Sequence, residues 1–291
     1  MWKGRAGGLY DAVMPRSEEL LRSFFRDQRA RMLAHDSDSG QRRDPEDLHQ
    51  VRVAVRRLRS ILRTAGPVLD QEWAERLRAE LKWLAGETGA ARDLDVVLPL
   101  LREQAIELEP EDGDALEPLW DKVERARAQA AERAFAALGS ERYGALITAL
   151  EHDLPSVQNG ALERATLKEF ERLEKAMKKV ALDPTDDAIH RARIKAKRAR
   201  YATELLEPEL GQPGCDLISA AKGFQEVAGE HHDTVVAEET VRSALRSIRS
   251  GRTAFGAGLL VAGQRERRRV AASELPDAWK KLEEAREKVW A

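Results

Sequence analysis

Apolar residues recur along almost the whole chain at the three- and four-residue spacing of amphipathic helices, and no alternating strand pattern lasts more than a few residues. The pattern therefore predicts an all-α protein. The segment from Leu154 to Gly160, LPSVQNG, lies near the middle of the chain and is its best linker. The expected helices cover roughly residues 17–35, 45–65, 70–86, 91–108, 118–138, 140–152 and 162–180, followed by a helical remainder that breaks near 208–214, 229 and 251.

Several residues at the expected helix ends are of the types that such ends favour. Ser17, Asp44 and Asp70 stand where a side-chain oxygen can accept from the free backbone N–H groups of a first turn, so each is predicted to be an N-cap. The polar residues 36–43 and the acidic residues 109–114 interrupt the helical pattern. We expect both segments to be solvent-exposed loops.

One basic helix occurs twice, as DLHQVRVAVRRLRSILR from Asp47 to Arg63 and as AIHRARIKAKRARYATEL from Ala188 to Leu205. A repeat over such a distance predicts duplicated architecture, and the linker divides the chain into halves at residues 1–153 and 161–291. Alignment of His49 with His190 pairs Arg52 with Arg193, Val53 with Ile194, Arg56 with Lys197, Arg57 with Arg198 and Arg59 with Arg200.

The net charge of −2 hides a strong segregation of charge, because no Asp or Glu occurs in residues 48–69 or 188–203. At about 100° per residue, the basic side chains of each helix fall on one face and the apolar ones on the opposite face. The basic faces comprise His49, Arg52, Arg56, Arg59 and Arg63, opposite Val51, Val55, Leu58 and Leu62, and His190, Arg193, Lys197 and Arg200, opposite Ala192, Ala196, Ala199 and Leu206. An ordinary solvated face interleaves both signs, so these two faces indicate anion binding.

A second element follows each basic helix, as LKWLAGETGAARDLDVV in residues 81–97 and as AKGFQEVAGEHHDTVVA in residues 221–237. Both copies predict a helix, a glycine break, and then a basic residue and an Asp that open the next helix. Such a helix start attracts anions. We expect Asp93 and Asp233 to cap their own helices and to orient a side chain of the basic helix. The alignment pairs Lys82 with Lys222, Gly89 with Gly229, Arg92 with His232 and Asp93 with Asp233.

His49 and His190 each begin a basic face one turn before its first arginine. Neighbouring arginines should lower the pKa of these imidazoles, and a bound polyanion should raise it again. A lone histidine is more often structural than functional. In this position we favour direct contact with phosphate over a purely structural role.

The two repeated elements resemble the CHAD domain (conserved histidine α-helical domain). The family pattern is similar to H-x-x-R-V-x-x-R-R-L-R followed by L-G-x-x-R-D-x-D-V in the first half, and to H-x-x-R-I-x-x-K-R-x-R-Y-x-x-E in the second. One departure is the glycine segment at residues 85–89, which is longer than a bare L-G. The matching residues are His49, Arg52, Val53, Arg56, Arg57, Leu58, Arg59, Gly89, Arg92, Asp93, Asp95 and Val96, then His190, Arg193, Ile194, Lys197, Arg198, Arg200, Tyr201 and Glu204.

The resemblance implies two pseudo-symmetric antiparallel helical bundles around a basic central groove. It also implies binding of inorganic polyphosphate and association with polyphosphate granules. Family members are often fused to a β-rich triphosphatase domain of the CYTH type, for which this sequence shows no pattern, so we expect a stand-alone module. The expected polyphosphate-binding residues are His49, Arg52, Arg56, Arg57, Arg59, Arg63, Lys82, Arg92, His190, Arg193, Lys197, Arg198, Arg200, Lys222 and His232.

Two other functions fit part of the pattern. Residues 231–233, His-His-Asp, together with His190, superficially resemble the metal site of an HD-type phosphohydrolase, but His232 aligns with Arg92, and arginine is no metal ligand. A general nucleic-acid or polyanion binder is the other alternative. Nucleic-acid binding usually needs aromatic side chains for base stacking, and the two basic helices contain only Tyr201. We therefore expect no catalytic residues, no metal, no cofactor and no nucleic-acid partner.

The remaining sequence signals concern the cellular compartment. The single cysteine, Cys215, allows no disulfide within the chain and favours a reducing environment. Residues 1–16 lack the apolar core of a signal peptide, and the longest apolar run, residues 254–263, is too short to span a bilayer. We expect a cytoplasmic protein that does not insert into membranes.

Overall fold

Helices account for nearly all of the residues that the computed structural model describes, namely 17–35, 44–151 and 160–290. These ranges contain no β-strand, as the sequence predicts. The α-helices are α1 (Ser17–Ala34), α2 (Pro45–Thr64), α3 (Gln71–Ile106), α4 (Pro110–Asp114), α5 (Glu117–Leu138), α6 (Glu141–Ala149), α7 (Ala161–Leu182), α8 (Asp186–Leu245) and α9 (Gly251–Trp290), and a short 3-10 helix spans Gly66–Val68.

Side-chain caps fix the starts of the helices that lead into the basic faces. Asp44 accepts a hydrogen bond from the backbone N–H of Glu46 at 2.8 Å, and Asp70 accepts one from Trp73 at 2.7 Å. These two predicted caps are confirmed, and Thr185 caps α8 in the same way. Ser17, the third predicted cap, is instead the first residue of α1. The predicted polar loop at 36–43 and most of the predicted linker, residues 154–159, lie outside the described residues.

The predicted helix breaks at residues 86–89 and at Gly229 are wrong, because α3 and α8 run through them. Gly89 and Gly229 each lie beside an arginine of a basic helix, with room for a Cβ at ordinary van der Waals distance. A Cβ added to Gly89 would lie 3.6 Å from Nη1 of Arg52, and one added to Gly229 would lie 3.8 Å from Nε of Arg193. A glycine inside a helix costs about 1 kcal/mol relative to alanine, which a well-packed helix tolerates.

The helix-capping role predicted for Asp93 and Asp233 is wrong for the same reason, since both residues lie in the interior of a continuous helix. The real interruption of α8 is at Gly211, whose φ of 60° kinks the helix within the predicted break at 208–214. The acidic segment that was expected to be a loop contains the short helix α4. Pro110 suits the first position of that helix, and the acidic residues that follow suit its first turn.

Three apolar clusters hold the helices together. The first joins α1, α2, α3, α5 and α6 and also takes in Tyr201 and Leu205 of α8. The second joins α7, α8 and α9, and the third packs the end of α3 and the start of α5 against α8 and α9. The first and third clusters therefore fasten the two halves to each other. No described helix is long and apolar enough to cross a membrane.

The predicted apolar faces of both basic helices are buried, which turns their basic faces away from the core. The buried residues are Val51, Val55, Leu58 and Leu62 on α2, and Ala192, Ala196, Ala199 and Leu206 on α8.

Close packing of α9 against α4 generates a prediction about two nearby glycines. A Cβ on Gly256 would lie 2.9 Å from the backbone oxygen of Asp112, whereas one on Gly258 would meet nothing within 4 Å. Gly256→Ala should lower the free energy of unfolding by about 1–3 kcal/mol through overpacking. Gly258→Ala should raise it by up to about 1 kcal/mol through helix propensity. Denaturant titration of the two variants measures both values, and a stabilised Gly256→Ala would contradict this packing.

Candidate functional site

The basic faces of α2 and α8 meet across a groove between the two halves. A cavity of about 560 Å³ lies there, lined by residues of α2, α3 and α8. We call this cavity the central groove. Its one acidic lining residue, Glu75, is hydrogen-bonded to Arg78. The basic lining residues are Arg56, Arg59, Arg63, Arg78 and Lys82 from the first half, and Lys197 and Arg198 from the second.

Arg56 and Tyr201 connect the two basic helices directly. Nε of Arg56 donates a hydrogen bond to the Tyr201 hydroxyl at 2.8 Å, and the Tyr201 ring is buried in the core of the first half. This contact holds α2 and α8 at a spacing that leaves the other cations of the groove close together.

Lys197 shows how strongly positive charge is concentrated in the groove. Burial, followed by the charges of Arg193 and Arg56, lowers the pKa of Lys197 to about 7, and Asp233 opposes the shift. A lysine in water titrates near 10.4. An anion bound beside Lys197 would favour its protonated form and relieve the repulsion.

Arg52 and Arg193 are both partly buried. Nη1 of Arg52 donates to Oγ1 of Thr88 at 3.2 Å, and its Nη2 lies 4.0 Å from Oδ1 of Asp93. Burial lowers the pKa of Arg193, and the charge of Asp233 opposes that shift. These contacts support the predicted orienting role of both aspartates, although neither aspartate caps a helix.

Glu204 pairs with two arginines that the sequence assigns to the site. Its carboxylate lies 2.8 Å from Arg57 and 3.2 Å from Arg200. The guanidinium carbons of Arg57 and Arg200 also lie 5.6 Å and 4.7 Å from the centroid of the Tyr201 ring. Glu204 therefore partly neutralises the charge of these two arginines within the protein. It is the first residue after the acid-free stretch of α8, residues 188–203.

The histidines at the start of the basic faces have different surroundings. Nδ1 of His190 lies 3.2 Å from Nδ1 of His232. Burial, followed by the charge of Arg193, lowers the pKa of His232 to about 4. Burial and then Arg92 lower the pKa of His49. The lowered pKa expected from neighbouring arginines is confirmed, but burial is its largest cause.

Six of the predicted binding residues line the central groove, and nine do not. The six are Arg56, Arg59, Arg63, Lys82, Lys197 and Arg198; the nine are His49, Arg52, Arg57, Arg92, His190, Arg193, Arg200, Lys222 and His232. Lys82 lines the groove, whereas its aligned partner Lys222 is exposed on α8 and does not. Sequence reasoning missed Arg78, which lies one helical turn before Lys82 on the same face of α3. That i, i+4 spacing was the available signal.

The residues of the suggested metal site point to separate partners. His231 lies 3.3 Å from Asp186, His232 contacts His190, and Asp233 interacts with Arg193. Within the described ranges, no group of three or more His, Cys, Asp or Glu residues is placed to hold a metal ion.

The CHAD domain matches residues 23–242, about three quarters of the chain. The chain belongs to the CHAD domain family. This family is associated with polyphosphate binding. Two uncharacterized proteins of Mycobacterium tuberculosis, MT2285 and Rv2226, are each 30% identical over 267 residues, which cover 85% of this chain and 50% of theirs. This CHAD chain thus spans half the length of those curated relatives.

Solved CHAD structures share the fold. The CHAD domain from the plant Ricinus communis has a TM-score of 0.73 at 25% identity, over 96% of this chain and 97% of that one. PptA from Streptomyces chartreusis has a TM-score of 0.76 at 23% identity, over 92% of this chain and 100% of that one.

The Glu204 ion pairs predict that neighbouring arginines of α2 have different roles. Arg57→Gln should lower the free energy of unfolding by about 1–3 kcal/mol, because the mostly buried Glu204 loses a partner. Arg59→Gln should leave the stability unchanged or raise it, because Arg59 is exposed beside other cations. Chemical denaturation of the two variants tests this difference, and equal losses would contradict it.

The environment of His232 predicts a pH dependence of stability. The imidazole titrates near pH 6.5 in the unfolded chain and near pH 4 in the folded one. Its contribution is therefore fully present above pH 6.5, falls as the pH drops, and is lost by about pH 4. His232→Asn should reduce the loss of unfolding free energy across this window by about 1–2 kcal/mol, allowing for solvent screening. Identical pH profiles for variant and wild type would contradict the assignment.

Proposed function

We propose that this CHAD domain binds inorganic polyphosphate in the central groove and does not hydrolyse it. The observation on which the proposal rests is the lining of the groove. Seven basic side chains from both halves face one cavity, and the single carboxylate among them is already bonded to Arg78. Binding of this kind would also recruit the protein to polyphosphate granules.

The repulsion within the groove supports a ligand with many negative charges. Burial and neighbouring cations lower the pKa of Lys197 and of Arg198. A polyanion that contacts several of these groups at once offsets their mutual repulsion. Arginine forks match phosphate oxygens bidentately, and the opposed helices present such forks along both sides of the groove.

The aromatic content of the groove favours polyphosphate over nucleic acid. Tyr201 is its one aromatic lining residue, and its ring is buried while its hydroxyl accepts from Arg56. Nonspecific binding of single-stranded nucleic acid generally uses exposed aromatic rings as stacking platforms. The groove offers charge without such a platform.

Calorimetric titration with polyphosphate of defined chain lengths tests the proposal. We expect tight binding of polyphosphate, weak binding of pyrophosphate, and displacement of any bound DNA by polyphosphate. Salt dependence alone does not discriminate, because both polyanions release counterions. Preferential binding of DNA would overturn the proposal. Release of phosphate by the purified protein, abolished in a His232→Ala or Asp233→Ala variant, would instead support the phosphohydrolase alternative.

A pair of arginine variants separates the groove from overall charge. Arg63→Gln removes a cation that lines the groove, whereas Arg133→Gln removes an exposed one from α5. The first should weaken binding by about 1–3 kcal/mol, as for a charge-assisted contact, and the second should have little effect. Titrations of both variants provide the measurement. Equal losses would mean that only net charge matters.

A further inference from the structure

The central groove continues into a second cavity of about 410 Å³. The two cavities share Arg63, Glu75, Arg78 and Arg198, so they adjoin each other. The second cavity adds Arg172 of α7 and Lys195 of α8. Positive charge therefore extends from the groove towards the outside of the second half.

A third cavity, of about 240 Å³, continues this path along the outside of α7. It shares Arg172 and Lys195 with the second cavity. Its other lining residues are Lys175, Ala176, Lys179, Ala188 and Arg191. We call the second and third cavities together the outer channel.

Helix geometry explains why the outer channel has two basic walls. Residues 172, 175 and 179 of α7 share one face because they are spaced three, four and seven apart. Residues 188, 191 and 195 of α8 have the same spacing. Only three residues, 183–185, connect the two helices, so α7 and α8 run antiparallel and their faces lie side by side.

The carboxylates beside the outer channel leave most of its donors available. Glu75, which lines the second cavity, is hydrogen-bonded to Arg78. Arg172 is hydrogen-bonded to Glu169, and Arg191 is paired with Asp187 at 2.5 Å. A guanidinium has five N–H donors, so one carboxylate does not saturate it. Within the described residues, the three lysines of the channel form no ion pair; they are Lys175, Lys179 and Lys195.

The repeat alignment shows that the two halves differ in charge at the positions that line this path. Arg57 aligns with Arg198, and Glu204 aligns with Arg63. The position equivalent to the Arg57–Glu204 ion pair is therefore occupied by two like charges, which line both the central groove and the outer channel. Likewise, the partners of Arg191 and Lys195 in the first half are the uncharged Gln50 and Ala54.

We propose that the outer channel is a second binding segment for a linear polyphosphate, which leaves the central groove between Arg63 and Arg198 and follows α7. This inference rests on the proposed function of the groove. A long polyphosphate chain would then leave the groove along the outer channel and contact its basic residues. A chain too short to extend beyond the groove would not reach them.

The double variant Lys175→Gln/Lys179→Gln tests the channel, because both lysines are exposed and line the third cavity but neither of the other two. Titration compares tripolyphosphate, which is too short to extend beyond the groove, with long-chain polyphosphate, which is long enough. We expect a three- to tenfold loss of affinity for the long chain and no change for tripolyphosphate. The matched control Lys122→Gln/Arg133→Gln removes two exposed charges from α5 and should change neither affinity.

The outcomes of this experiment separate the two proposals. Unchanged long-chain affinity in the channel variant would overturn the channel, as would an equal loss for both ligands or an equal loss in the control. If the wild-type protein binds neither ligand, the function proposed for the groove fails first. Thermal melts of both variants ensure that any loss is measured on folded protein.

Discussion

Repulsion between the basic faces of α2 and α8 is the constraint that the rest of the structure accommodates. The apolar back of α2 is buried in the first cluster and Ala192, Ala196 and Ala199 of α8 in the second. The Arg56–Tyr201 hydrogen bond holds the basic faces across the groove. Without compensation, so many like charges would push the halves apart. Part of this repulsion is relieved at Lys197, because burial lowers the pKa of its ammonium group to about 7 and so favours the neutral amine. The remaining charge is what makes the groove suited to a polyanion.

Carboxylates neutralise the two flanks of the groove to different extents. Glu204 neutralises one flank of the groove by pairing with Arg57 and Arg200. The aligned position on the other flank is Arg63, so that flank stays positive and continues along α7. A duplicated architecture would by itself predict two equivalent flanks. The exchange of a carboxylate for a guanidinium is one of the differences that distinguish the two flanks.

Much of the fold was predictable, because apolar spacing and acid-free stretches are local signals. They predicted the helices, the buried faces of α2 and α8, and the caps at Asp44 and Asp70. The glycine segments misled prediction, because low helix propensity is a weak local signal and the packing of α3 and α8 keeps both helices continuous there. Glu204 was visible as part of a motif, but its pairing with Arg57 crosses between the halves. The basic residues of α7 that line the outer channel lie outside both repeated elements, so alignment of the repeats could not reveal them.

A crystal structure of the protein with bound polyphosphate tests the central claim most directly. The account predicts phosphate density in the groove, in contact with Arg59 and Arg63 of one half and Lys197 of the other, while the Arg57–Glu204 pair stays intact. Density confined to one half, or phosphate that displaces Glu204 from Arg57 and leaves the groove empty, would contradict it.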